Sequence, residues 1–110
     1  MIGPWGLLVI AGALEIVWAL GFKYLWGRGL PWKALCIGAL VLSMVLLIRA
    51  LQALPAGTAY AVWTGIGAVG VAVLGILFFK EPATWPRIFF IALILAGIVG
   101  LKLATAPQGA

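Results

Sequence analysis

Long apolar runs alternate with short polar connections along this chain. The first run is Trp5 to Phe22. The second is about Ala34 to Ile48, and it reaches membrane-crossing length only with its flanks, Pro31 to Leu54. The third is Thr58 to Phe79 and the fourth Ile88 to about Ala104. A spanning helix needs about 20 predominantly apolar residues, with a range of roughly 17 to 25. Backbone groups find no water in hydrocarbon, so each run should satisfy its own hydrogen bonds as a helix. The pattern predicts an all-α membrane protein with four transmembrane helices per chain. They form a single domain over residues 1–110, at about 5–22, 31–54, 58–79 and 86–104.

The connections carry the expected breakers. "KYLWGRGLPWK" holds Gly27, Gly29 and Pro31, and "QALPAG" holds Pro55 and Gly57. "KEPATWP" holds Pro82 and Pro86, with Thr84 placed to cap the fourth helix. None is long enough for an extramembrane domain, so the protein must do its work inside the membrane. The first run has no basic region before it and carries Glu15 within it, which is not the pattern of a cleaved signal peptide.

Composition supports the bilayer as solvent. With 66% hydrophobic residues and 8% charged, a chain of 110 residues could not hide its apolar surface from water. The formal charge of +5 does not point to nucleic acid. Lys23, Arg28, Lys33, Arg49, Lys80, Arg87 and Lys102 fall at or near the ends of apolar runs, where basic side chains reach lipid headgroups. Five of them lie in the first and third loops and two on the other side. That bias favours those loops inside and both termini outside. The chain has one cysteine, Cys36, and no histidine. No internal disulfide, zinc-hydrolase centre or His-based triad is available, and no metal, cofactor or enzymatic chemistry is expected.

Trp5, Trp26, Trp32 and Trp85 sit at run ends, as an interfacial belt would place them. Trp18 and Trp63 lie well inside their runs, as does Glu15, one of only two acidic residues. The other, Glu81, stands beside Lys80 in a proline-containing loop and reads as a solvated charge. A carboxylate at membrane depth is costly and marks a functional site by default. As a mere structural hydrogen bond, an amide or hydroxyl would serve at lower cost.

Gly12, Glu15 and Trp18 are three apart and share a helical face. Gly12 leaves space beside the carboxylate for a ligand, and the Trp18 indole N–H is placed to donate to Glu15. In the third run Tyr60, Trp63 and Gly67 share a face, and Ser43 is the main polar side chain at depth in the second. Together they outline a small aromatic-walled pocket around one acid, suited to a cation. Glu15 can hold a proton or a cation. If both compete for one site and only an occupied site reorients, proton entry drives cation exit.

One acid on four helices does not enclose a pocket, which points to a second copy of the chain. In the fourth run Ala92, Ala96 and Gly100 recur at four-residue spacing, with Gly97 beside them. Such a small-residue stripe permits close helix contact. Gly65, Gly67, Gly70 and Gly75 in the third run permit a bend or a close crossing.

"AGALEIVWALGFKY", "LPAGTAYAVWTGIGAVG", "FFKEP" and "AGIVGLKL" closely resemble the small multidrug resistance family, over nearly the whole chain. The Glu15-x-x-Trp18 spacing, the "WTGIGAVG" run and the Gly-Leu-Lys ending at Lys102 resemble its guanidinium-exporting subtype. The resemblance implies an antiparallel, dual-topology homodimer in the cell's inner membrane. It implies that proton and substrate compete for Glu15 of both subunits. Trp18 and Ser43 would hydrogen-bond around the carboxylates, Tyr60 and Trp63 would line the site, the fourth helix would form the dimer contact, and the third would bend. The expected partners are guanidinium-type cations, protons, membrane lipid and a second copy of the chain. A broader quaternary-ammonium or drug exporter on the same fold is the alternative. A non-transporting assembly subunit, with Glu15 paired to a partner's basic residue, is a third reading.

Overall fold

Proline and glycine set where the helices begin. Pro4, Pro31 and Pro86 occupy the first turns of three helices, where the missing N–H would have had no partner in any case. Gly29 enters the second helix at φ 125°, a conformation that glycine adopts without a steric penalty. In the computed structural model, which describes residues 3–105, α1 is Pro4–Tyr24, α2 Leu30–Leu51, α3 Ala56–Phe78 and α4 Trp85–Ala104. A 3₁₀ turn at Trp26–Arg28 links α1 to α2. Residues 1–2 and 106–110, which the single-domain reading includes, lie outside the described residues.

The second helix closes at Leu51 rather than Leu54. The amides of Gln52, Ala53 and Leu54 turn back onto the carbonyls of Arg49 and Ala50, at 3.1–3.2 Å, just before Pro55. Thr84 takes the N-cap position of α4, but its side chain makes no capping hydrogen bond. The "GIGAVG" glycines do not interrupt α3, which is helical throughout. Helices of 20 to 23 residues are about 30–35 Å long, which matches a hydrocarbon core of about 30 Å.

Helix α1 packs against both α2 and α3, and α4 packs on α3. The result is a slab of 48 × 36 × 20 Å, about two helix diameters thick. Its contiguous core is Leu8, Ala11, Leu47, Ala50, Leu54, Ala59, Val62 and Trp63. These come from the first half of α1, the last turns of α2, the turn that follows it at Leu54, and the first half of α3. The core therefore fills one end of the slab, the end bearing the start of α1.

Helix α4 has no buried residue among those described. It presents Trp85, Phe90, Leu93 and Leu103 outward. Lipid solvates such a surface as well as a protein core would. Ala92, Ala96, Gly97 and Gly100 are exposed as well, and a Cβ added at Gly97 or Gly100 would meet nothing within 4 Å. Two contacts tie the far end of α4 inward. The Lys102 ammonium lies 4.8 Å from the centre of the Trp5 ring, and the hydroxyls of Thr58 and Thr105 are 3.4 Å apart.

Candidate functional site

The site forms where α1 crosses α3 closely enough that only glycine fits between them. The Glu15 carboxyl group lies directly over Gly67, in the space where any other residue would carry its Cβ. Ile16, the next residue, is seated in the same way over Gly70. The glycines of α3 thus act as receptors for side chains. Gly65 receives Ile94 and Ile98 of α4, and Gly75 receives Glu81.

Glu15 Oε1 and Trp18 Nε1 are both buried, and neither has a hydrogen-bond partner among the described residues. The bond expected from their spacing is therefore not formed. The physical reason is an aromatic row along α1. The Trp18 ring packs on Phe22 at 5.5 Å between centroids, and Phe22 packs edge-on against Trp26 at 5.5 Å. Aromatic contacts of this kind hold the indole in place. A buried acceptor and a buried donor on one helical face, both unpaired, are unusual, because most such groups find partners.

Gly12 does not leave room for a ligand. Its open side is filled by Ile66 of α3, and an added Cβ would stand 2.5 Å from Ile66 Cγ2 and 2.7 Å from its Cβ. Gly12 brings α3 up to α1; Gly67 is the glycine that makes space for the carboxylate.

Ser43 is fully buried and joins three helices. Its hydroxyl donates to the Ala11 carbonyl at 2.7 Å and accepts the Trp63 indole N–H at 3.0 Å. A serine has one proton to give, so Ser43 does not donate to the carboxylates as the resemblance implied. In the helical pattern the Ala11 carbonyl also accepts the amide of Glu15. Ser43 and Trp63 therefore fix the turn of α1 that carries the acid. Tyr60 stacks on Trp63, with centroids 5.5 Å apart and planes 27° from parallel, and remains 58% exposed.

Gly67 shares a face with Tyr60 and Trp63, but its place beneath the Glu15 carboxyl is not evident from the sequence. Its part becomes visible only once the register of α1 against α3 is known. Glu81 is not the simple solvated charge that its place beside Lys80 suggests. Its Oε1 accepts from Arg87 Nη2 at 2.8 Å, and its Oε2 accepts from the Tyr24 hydroxyl at 2.7 Å. The Arg87 guanidinium and then the Tyr24 hydroxyl hold the Glu81 carboxyl below the usual carboxylate range. Among the described residues, no three His, Cys, Asp or Glu side chains gather to hold a metal ion.

Four membrane-length helices, with a carboxylate seated between two of them, define a multi-pass membrane protein. The family model described as Small Multidrug Resistance protein matches residues 3–94. The chain is 55% identical over 102 residues to a protein of Yersinia pseudotuberculosis named "Guanidinium exporter", covering 92% of this chain and 98% of that one. Proteins of the same name from Escherichia coli K12 and Proteus vulgaris are 53% and 52% identical, covering 92% of this chain and 97% and 98% of theirs. The chain belongs to the small multidrug resistance family and is a multi-pass protein of the inner membrane.

Proposed function

We propose that this protein is a proton-coupled antiporter that exports guanidinium and small substituted guanidinium-type cations. It acts as an antiparallel homodimer in which proton and cation compete for Glu15 of both copies. Helix α4, with its open stripe of Ala92, Ala96, Gly97 and Gly100, is the proposed contact between copies. The protein is a transporter and not an enzyme.

The observation that carries this reading is the Glu15 carboxyl over Gly67, with Oε1 buried and unpaired among the described residues. A carboxylate in low dielectric needs a counter-charge or a proton. Guanidinium is planar and offers paired N–H donors that match the two carboxylate oxygens. The relatives named guanidinium exporter support the same substrate.

The alternative, a broader exporter of quaternary-ammonium cations, draws on the outward face of Tyr60 stacked on Trp63. Aromatic faces attract bulky apolar cations as well as flat ones. Proteoliposomes carrying the purified protein separate the two. Guanidinium should accumulate against its gradient when a proton gradient is imposed, with tetra-alkylammonium at least about tenfold slower, a difference of ~1.4 kcal/mol. A clear preference for tetra-alkylammonium would establish the alternative instead.

A further inference from the structure

The core fills one end of the slab, and the other end is held differently. There α1 and α3 leave an apolar groove of about 300 Å³, lined in part by Ile16, Val17, Leu20, Leu74, Phe78 and Phe79. It begins one residue beyond Glu15. At its far end, the Tyr24 ring lies flat on Phe79, with centroids 3.9 Å apart and planes 8° from parallel. Tyr24 is nine residues from Glu15, about 14 Å along the helix.

Tyr24 is gripped by a built structure. Lys80 turns the chain at φ 59°, in the left-handed region, directly after α3. Glu81 then folds back over the end of α3. Its amide donates to the Gly75 carbonyl at 3.1 Å, and its carboxylate covers Gly75, where an added Cβ would lie 2.6 Å from Glu81 Cδ. One carboxylate oxygen takes the Arg87 guanidinium and the other the Tyr24 hydroxyl. Arg87 also donates through Nη1 to the Pro82 carbonyl at 2.7 Å, which fixes its direction. A lone surface ion pair contributes little. This one links the end of α1, the loop after α3 and the first turn of α4, where the core does not reach.

We propose that Tyr24, Glu81 and Arg87 form a latch that closes the α1–α3 groove and must open each time the Glu15 site turns to that membrane face. The proposal rests on transport at Glu15 as read above. Swinging α1 away from α3 at this end separates the Tyr24–Phe79 stack and takes the Tyr24 hydroxyl off Glu81. One contact is a hydrogen bond and the other joins two rings outside the core, so they can part without unpacking it.

Two measurements test this, both in a Cys36→Ala background in lipid nanodiscs or proteoliposomes. In the first, Leu20→Cys reports groove opening through its rate of modification by a membrane-impermeant maleimide. Tyr24→Phe, Glu81→Gln and Arg87→Gln should each raise that rate by about tenfold, the loss of one charge-assisted hydrogen bond. Arg49→Gln, at the opposite end, should not. Unchanged labelling in all three latch variants overturns the proposal, whatever cation is carried. In the second, Tyr24→Cys and Glu81→Cys are joined by a short, cleavable bismaleimide. Guanidinium binding should persist, exchange should stop, and cleavage should restore it. Undiminished exchange through the joined pair would reduce the cluster to a static staple and overturn the latch. Failure of guanidinium binding in the uncrosslinked protein would instead count against the substrate reading, leaving the labelling result to decide the latch.

Discussion

Glu15→Gln is expected to abolish proton-driven guanidinium accumulation while leaving the protein folded. The amide has nearly the same size and shape as the carboxyl, so it can occupy the same seat over Gly67. It cannot carry charge, take up a proton or form paired charge-assisted bonds. Each such bond contributes about 1.5–3 kcal/mol. Losing a pair costs at least about a hundredfold in guanidinium affinity, ~2.7 kcal/mol. Accumulation of guanidinium against its gradient at the wild-type rate in Glu15→Gln would sink the proposed mechanism.

Gly67→Ala should also damage binding, less severely and by a different route. The new methyl falls where the Glu15 carboxyl now lies. That carboxyl is the far end of a flexible side chain and can swing aside, so the fold should survive with a loss of about 1 kcal/mol or less. Guanidinium affinity should fall by at least about tenfold, because the acid no longer sits in its seat. Pairing the change with Glu15→Asp, which draws the carboxyl back by one methylene, should recover part of the loss. Gly12→Ala provides the contrast. Its methyl would press on Ile66 Cβ, which is fixed to the α3 backbone. Thermal unfolding in detergent should show a stability loss of about 1–3 kcal/mol for that variant. If Gly67→Ala binds guanidinium as the wild type does, the seat over Gly67 is not where the cation is held.

The apolar runs made the four helices legible, because hydrocarbon leaves a backbone no other way to satisfy itself. Glu15 was legible for the same reason: one acid at depth needs an explanation. What surrounds it was less so. Helical spacing placed Gly12, Glu15 and Trp18 on one face, but it could not say which glycine receives the carboxyl. That depends on the register between α1 and α3, to which spacing within one helix is blind. The same holds for Ser43. Its burial followed from its position, while its bonds to Ala11 and Trp63 came from the meeting of three helices. The Trp18 indole follows a row of aromatic neighbours that spacing does not weigh against a single hydrogen bond. Glu81 and Arg87 lie six apart across a proline turn, a separation that no helical rule connects, and Tyr24 stands 57 residues from Glu81.

The central claim is that a proton and a guanidinium ion exclude each other at Glu15. The most direct test is an equilibrium titration of guanidinium against the purified protein over a range of pH. Affinity should be constant where Glu15 is ionised. It should then fall as pH is lowered through the titration of Glu15, coupled to its copy in the proposed dimer, by up to about tenfold per pH unit for each proton displaced. An affinity that does not change with pH in the wild-type protein would contradict the account.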